Sequence, residues 1–123
     1  MNDLNAQVRR YVDIWNQPDG AQRAALIDAA FIATASYVDP LVRADGAEAL
    51  NATIGVVQQQ FPGHRFEPYG TPDAHGRHLR FSWALKDAGG TVAARGTDIA
   101  VLADDGRFSS VTGFLDYVAS AAR

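Results

Sequence analysis

The chain has 123 residues, 47% hydrophobic and 20% charged, which is the make-up of a soluble globule with a real core and no room for a second domain. A formal charge of −3, a pI near 5.4 and eleven scattered Lys and Arg leave no electrostatic footprint for nucleic acid or an anionic membrane. With no cysteine, disulfides, thiolate metal sites and thiol nucleophiles are excluded.

The opening Met1-Asn2-Asp3-Leu4 lacks a charged region followed by an apolar run, and no apolar stretch approaches the roughly 20 residues of a membrane span. A single soluble, cytoplasmic domain over 1–123 is therefore expected. Leu4, Val8, Tyr11, Val12 and Trp15 recur at helical spacing, predicting a helix over 4–16 with one inward stripe, ended by Asn16, Pro18 and Gly20. Asp19 with Gln22 three positions on reads as a capping box for a second helix through about Ala30, with Ala25, Leu26 and Ala29 available for packing. Residues 34–39 read as a strand, and Pro40 biases Asp39 toward extended geometry, so that Tyr37 and Asp39 share a face. Asp45-Gly-Ala-Glu48 reads as a second capping box, opening a helix over about 46–60 with Ala49, Leu50, Ile54, Val57 and Phe61 inward; Pro62-Gly63 stops it.

The second half predicts a mostly antiparallel meander of strands near 65–75, 78–87, 91–103 and 107–118, separated by turns at Gly76, Gly89-Gly90 and Asp104-Asp105-Gly106. Leu79, Phe81, Trp83 and Leu85 alternate with His78, Arg80 and Ser82 and define an apolar face. Ile99, Ala100, Val101 and Leu102 make both faces of one strand apolar, so a second subunit is expected to cover the outer side of the sheet as a homodimer. The expected architecture is α+β: three N-terminal helices with one intervening strand, closing the concave side of a curved sheet.

Three residues stand out chemically: Tyr11, Asp39 and Asp98. An acid among Thr97, Ile99, Ala100 and Val101 costs folding energy unless it is paired, protonated or used. Gly96 shares its strand face, leaving space for a ligand, while Thr97 and Ile99 point the other way. Structural readings stand beside these. Tyr11 suits a core tyrosine with a satisfied hydroxyl, Asp39 suits a turn initiator, and Asp98 suits a strand acid paired with Arg95 or Arg80. Asp73 and His75 share a face and form either a carboxylate–histidine pair at a pocket edge or an exposed hairpin end. Trp15 and Trp83 suit a pocket wall and core packing equally. His75 and His78 could converge on one ion, but nothing completes a ligand set, so no metal is expected.

The order of elements, with "SYVDPLVRADGAEAL" at 36–50 and "GTDIAVLADDGRFSSVTGF" at 96–114, resembles the nuclear transport factor 2-like superfamily over nearly the whole chain. Within it the chain looks most like the branch of SnoaL-like polyketide cyclases and steroid delta-isomerases, whose cone-shaped fold encloses an apolar pocket. That resemblance implies Asp39 as a catalytic base, Asp98 as a protonated acid of an oxyanion hole and Tyr11 as its hydrogen-bonding partner. In the cyclase branch the late-strand aspartate, again Asp98, acts as acid and base. The stretch 64–83, with Asp73, His75, His78, Arg80 and Trp83, looks more like uncharacterised SnoaL-like proteins than like steroid isomerases. Candidate pocket-lining residues are Trp15, Tyr37, Asp73, His75, Arg80, Trp83 and Phe114. The implied activity is cofactor-independent proton transfer on a small apolar carbonyl compound. A noncatalytic ligand-binding or scaffold domain is the alternative. Water activation, as in the epoxide hydrolases of the superfamily, would need a carboxylate–arginine–carboxylate set to which Asp98 and Arg80 could contribute.

Overall fold

Asp3 starts the first helix by accepting the Ala6 N–H at 3.2 Å, and α1 (Leu4–Asn16) follows in the computed structural model, which describes residues 3–119. The helix buries Val8, Tyr11, Val12 and Trp15 as its spacing requires, and Ile14 with them. Asp19 caps α2 (Gly20–Ala30) through the Gln22 N–H at 2.8 Å. The return bond comes from Gln17, whose Oε1 accepts the Asp19 N–H at 3.0 Å, not from Gln22. The packing face of α2 also differs from expectation. Ala25, Leu26 and Ala29 face solvent, because the helix turns its i, i+4 pair Arg23 and Ile27 inward.

The chain passes from α2 directly into β1 (Phe31–Val38), three residues earlier than expected, with Phe31, Ala35 and Tyr37 buried. A short strand, β2 (Arg43–Asp45), pairs antiparallel with β1 and was not legible in the pattern. It removes Asp45 from any capping role. Asp45 lies opposite Ser36 and receives Arg43 Nε at 3.3 Å, while Gly46, at φ 91°, caps α3 (Ala47–Gln60) without a side-chain bond. α3 buries Leu50 and Ile54, with Ala49 and Val57 half-buried and Phe61 more exposed beyond its end.

The remaining strands are β3 (Arg65–His75), β4 (His78–Lys86), β5 (Val92–Leu102) and β6 (Phe108–Val118), each within a residue or so of its expected span. The sheet runs β2-β1-β6-β5-β4-β3 and is antiparallel except where β1 lies parallel to β6. It is curved and unclosed, and the three helices pack on it, giving the α+β cone. Alternation decides what reaches the interior: Ala94, Gly96, Asp98 and Ala100 of β5 are buried, their odd-numbered neighbours only half so. Phe81, Ile14, Ile27, Ile54, Leu79 and Val111 anchor the core, each burial stabilising by roughly 1.5–3 kcal/mol. Among the described residues no helix is long and apolar enough to cross a membrane.

Candidate active site

Asp98 sits mid-strand in β5, opposite Phe81 of β4 and Gly113 of β6, so register alone turns its carboxyl to the helix side of the sheet. It is 2% exposed. Gly113 leaves the room it needs: a Cβ there would lie 3.0 Å from Asp98 Oδ1, 3.3 Å from Asp39 Cβ and 3.5 Å from Tyr37 Oη. The two aspartates and Tyr37 therefore converge on the gap over one glycine. From α1, Tyr11 Oη donates to Asp98 Oδ2 at 2.9 Å, and from β4, Trp83 Nε1 donates to Asp98 Oδ1 at 3.1 Å.

The space over Gly96, expected to be free for a ligand, is filled. A Cβ at Gly96 would overlap Trp83 Cζ2 and lie 2.7 Å from the Phe114 carbonyl oxygen, so the indole packs directly against the glycine. Gly96 thus serves to bring the Trp83 N–H to Asp98. Asp39, at the end of β1, satisfies its turn reading and its site reading together. Its Oδ1 accepts the Leu41 and Val42 N–H groups at 2.8 and 3.0 Å, and its Oδ2 accepts the Tyr37 hydroxyl at 2.7 Å.

Among the described residues no cation meets Asp98. Arg80 lies opposite Ile99, on the other face of the sheet, and pairs with Asp73 at 3.1 Å. Arg95 lies between the rings of Tyr69 and Tyr117, 5.3 and 4.9 Å from their centres. The ion-pair reading of Asp98 and the carboxylate–arginine–carboxylate set through Arg80 both fail on this geometry. Burial instead pushes the Asp98 carboxyl up to about 6; the Trp83 and Tyr11 hydrogen bonds oppose that rise, and the charges of Asp39 and Asp116 add to it. Burial, then the Asp98 charge, hold the Tyr11 phenol well above its ordinary value. Tyr37 is raised by burial, by Asp98 and by its bond to Asp39.

The indole N–H is a donor only, so Asp98 Oδ1 accepts in either protonation state and the proton of the neutral acid belongs on Oδ2, facing Tyr11. Ionised, Asp98 takes up the one O–H that Tyr11 has. Protonated, the pair holds two O–H groups for one mutual hydrogen bond, and a donor remains for a third oxygen. A neutral Asp98 is the condition under which this pair can receive a ligand oxygen.

Tyr11, Asp39 and Asp98 all open onto one cavity of about 480 Å³, walled by Val12, Trp15, Tyr37, Val57, Phe66, Trp83 and Leu85. Its mouth is rimmed by Leu41, Phe61, Leu115 and Val118, of which Leu41 is 85% exposed. Among the expected lining residues Trp15, Tyr37 and Trp83 are present, and Asp73, His75, Arg80 and Phe114 are not. Phe114 lies opposite Thr97, one residue past Gly113, and therefore points to the outer face. Asp73 and Arg80 form an exposed pair across β3 and β4, and His75 stacks on His78 at 5.9 Å at the hairpin end. Among the described residues no group of three or more His, Cys, Asp or Glu converges on a point. Val12, Val57, Phe66 and Leu85 had a signal, their apolar periodicity, which does not distinguish a cavity wall from a core. Leu115 and Val118 had less, because a register shift between Arg95 and Gly96 resets the alternation of β6.

No protein-family model and no curated protein matches the chain, but solved structures do. A SnoaL-like family protein from Agrobacterium tumefaciens, provisionally described as an isomerase, is 40% identical at a TM-score of 0.87, over 91% of this chain and 96% of that one. An NTF2-like protein of unknown function from an Exiguobacterium species is 25% identical at 0.69, over 89% and 98% of the two chains. A SnoaL-like protein from a Jannaschia species, provisionally described as a polyketide cyclase, is 15% identical at 0.68, over 89% and 85%, a likeness of fold alone.

Proposed function

Because the chain belongs to the SnoaL-like family, we propose that it is a proton-transfer enzyme of the isomerase or cyclase kind, acting on a small apolar carbonyl compound held in its cavity. The observation that carries this reading is the buried Tyr11–Asp98 pair, 2.9 Å apart, opening onto the same cavity as Asp39. Asp39 removes a proton from the carbon beside the carbonyl. The carbonyl oxygen gains negative charge as the enolate forms, and the surplus O–H of Tyr11 and neutral Asp98 is already in place to receive it. Where a double bond adjoins the deprotonated carbon, returning the proton to its far end isomerises the compound; where the enolate carbon attacks a second carbonyl, the C=O π bond breaks as the ring closes and the new alkoxide takes the proton back from Asp39. Neither outcome requires a cofactor. The aromatic and aliphatic walls place these groups in apolar surroundings, where each hydrogen bond is stronger than in water.

A binding domain without chemistry is the second reading, favoured by the three hydrogen bonds that occupy both oxygens of Asp39 and hold it as the initiator of its turn. Deuterium incorporation distinguishes the two. Wild-type protein should exchange the hydrogens beside the carbonyl of 2-tetralone in deuterated water well above the buffer rate, and Asp39→Asn should lose at least 100-fold of that rate. Exchange no faster than buffer, with tetralone bound, assigns the cavity to binding alone.

A further inference from the structure

The Trp15 indole N–H is buried and, among the described residues, is the one buried side-chain polar atom without a hydrogen-bond partner. Leaving such a donor idle costs about 1–3 kcal/mol, so its retention needs a reason. Trp15 lies one helical turn beyond Tyr11 on α1, with the two rings 6.3 Å apart at 45°, and both line the cavity. The indole is also the one neighbour that favours negative charge on the Tyr11 oxygen; burial, Asp98 and Tyr37 all oppose it. Tyr11 Oη and Asp98 Oδ2 share one hydrogen bond at 2.9 Å, and the phenol oxygen has a further lone pair with which to accept from a second donor.

We propose that Trp15 is a positioning residue that completes the site only when an oxygen ligand binds. The Tyr11 O–H swings from Asp98 to the ligand oxygen, and the Trp15 N–H then donates to Tyr11 Oη, making the phenol a stronger donor. The chain Trp15→Tyr11→ligand rests on the reading of Tyr11 as an oxygen-binding group and adds to it a donor that the fold keeps in reserve. It selects ligands that present an accepting oxygen at the floor of the cavity over apolar molecules of the same shape.

Two indole N–H resonances, from Trp15 and Trp83, make the test direct on ¹⁵N-tryptophan-labelled wild-type protein, with assignment by Trp15→Phe. Saturation with 2-naphthol at pH 5 should move the Trp15 signal downfield, as a newly made hydrogen bond requires, whereas naphthalene should leave it near its free position. Trp15→Phe should weaken 2-naphthol binding 5- to 20-fold and naphthalene binding less than 2-fold. An unmoved Trp15 signal with naphthol bound, equal shifts with both ligands, or no naphthol binding at millimolar concentration overturns the proposal. Deuterium exchange without the Trp15 shift would sink this inference and leave the enzymatic reading standing; the shift without exchange would do the reverse.

Discussion

Replacing Asp98 with Asn should stabilise the protein at neutral pH, although it removes an acid from the centre of the site. The fold raises the Asp98 carboxyl to about 6, mainly by burial, against an ordinary value of 3.8. Below pH 3.8 the folded and unfolded states both hold the proton. Between 3.8 and about 6 only the folded state does, so the Asp98 contribution to stability falls as pH rises through that window and levels off above it. Relative to low pH, the Asp98 contribution has then fallen by ~3 kcal/mol at pH 7.5 and ~1 kcal/mol at pH 4.5. Asn has neither loss: its carbonyl can accept from Trp83 as Oδ1 does, and its amide can donate to Tyr11 Oη as the protonated acid would. Urea unfolding of wild type and Asp98→Asn at the two pH values reads this out. The advantage of the variant should grow by ~2 kcal/mol from pH 4.5 to 7.5, whatever constant offset the amide introduces. An advantage that does not change with pH, or shrinks as pH rises, would refute the argument that Asp98 is held neutral by burial.

Gly96→Ala should cost about 1–3 kcal/mol in urea unfolding and alter tryptophan emission, because the new methyl displaces the Trp83 indole and meets the Phe114 carbonyl. Arg23→Met should cost about 2–4 kcal/mol by the same assay, since the buried guanidinium joins Asn51 Oδ1, the Gln17 carbonyl and Gln58 Oε1 and so ties α2 to α3 and to the end of α1. The outer sheet face carries exposed Tyr69, Phe114 and Tyr117, and we propose that it pairs with a second copy of the chain. Light scattering should give twice the 13.2 kDa chain mass, and Phe114→Arg should return the protein to monomers; a wild-type monomer at high micromolar concentration would rule the pairing out.

Much of this was legible in the residues because period and register are local. The 4–16 stripe, the alternation of β4 and the turns at Gly76 and Asp104-Asp105-Gly106 placed most elements, and a buried acid in an apolar strand marked Asp98. The reading failed where a residue's role was decided across the sheet. Asp45 looked like a cap until a three-residue strand paired it with Ser36. Asp73, His75 and Arg80 looked like pocket chemistry, but strand parity sends Arg80 to the face opposite Asp98, and Asp73 pairs with it there. Gly96 and Gly113 sit on the same buried face, yet one is covered by Trp83 and the other opens between the aspartates. Only the packed neighbours distinguish them.

Oxygen binding in the cavity depends on Tyr11 and a protonated Asp98 together offering an O–H. The most direct test is the affinity of 2-naphthol from pH 5 to pH 8, with wild type and Tyr11→Phe. Binding should weaken about tenfold for each pH unit above roughly 6, as Asp98 ionises and takes back the shared donor. Tyr11→Phe should bind at least 10-fold more weakly at pH 5 and lose most of that dependence. Affinity that is flat across the range and indifferent to Tyr11 would contradict the account.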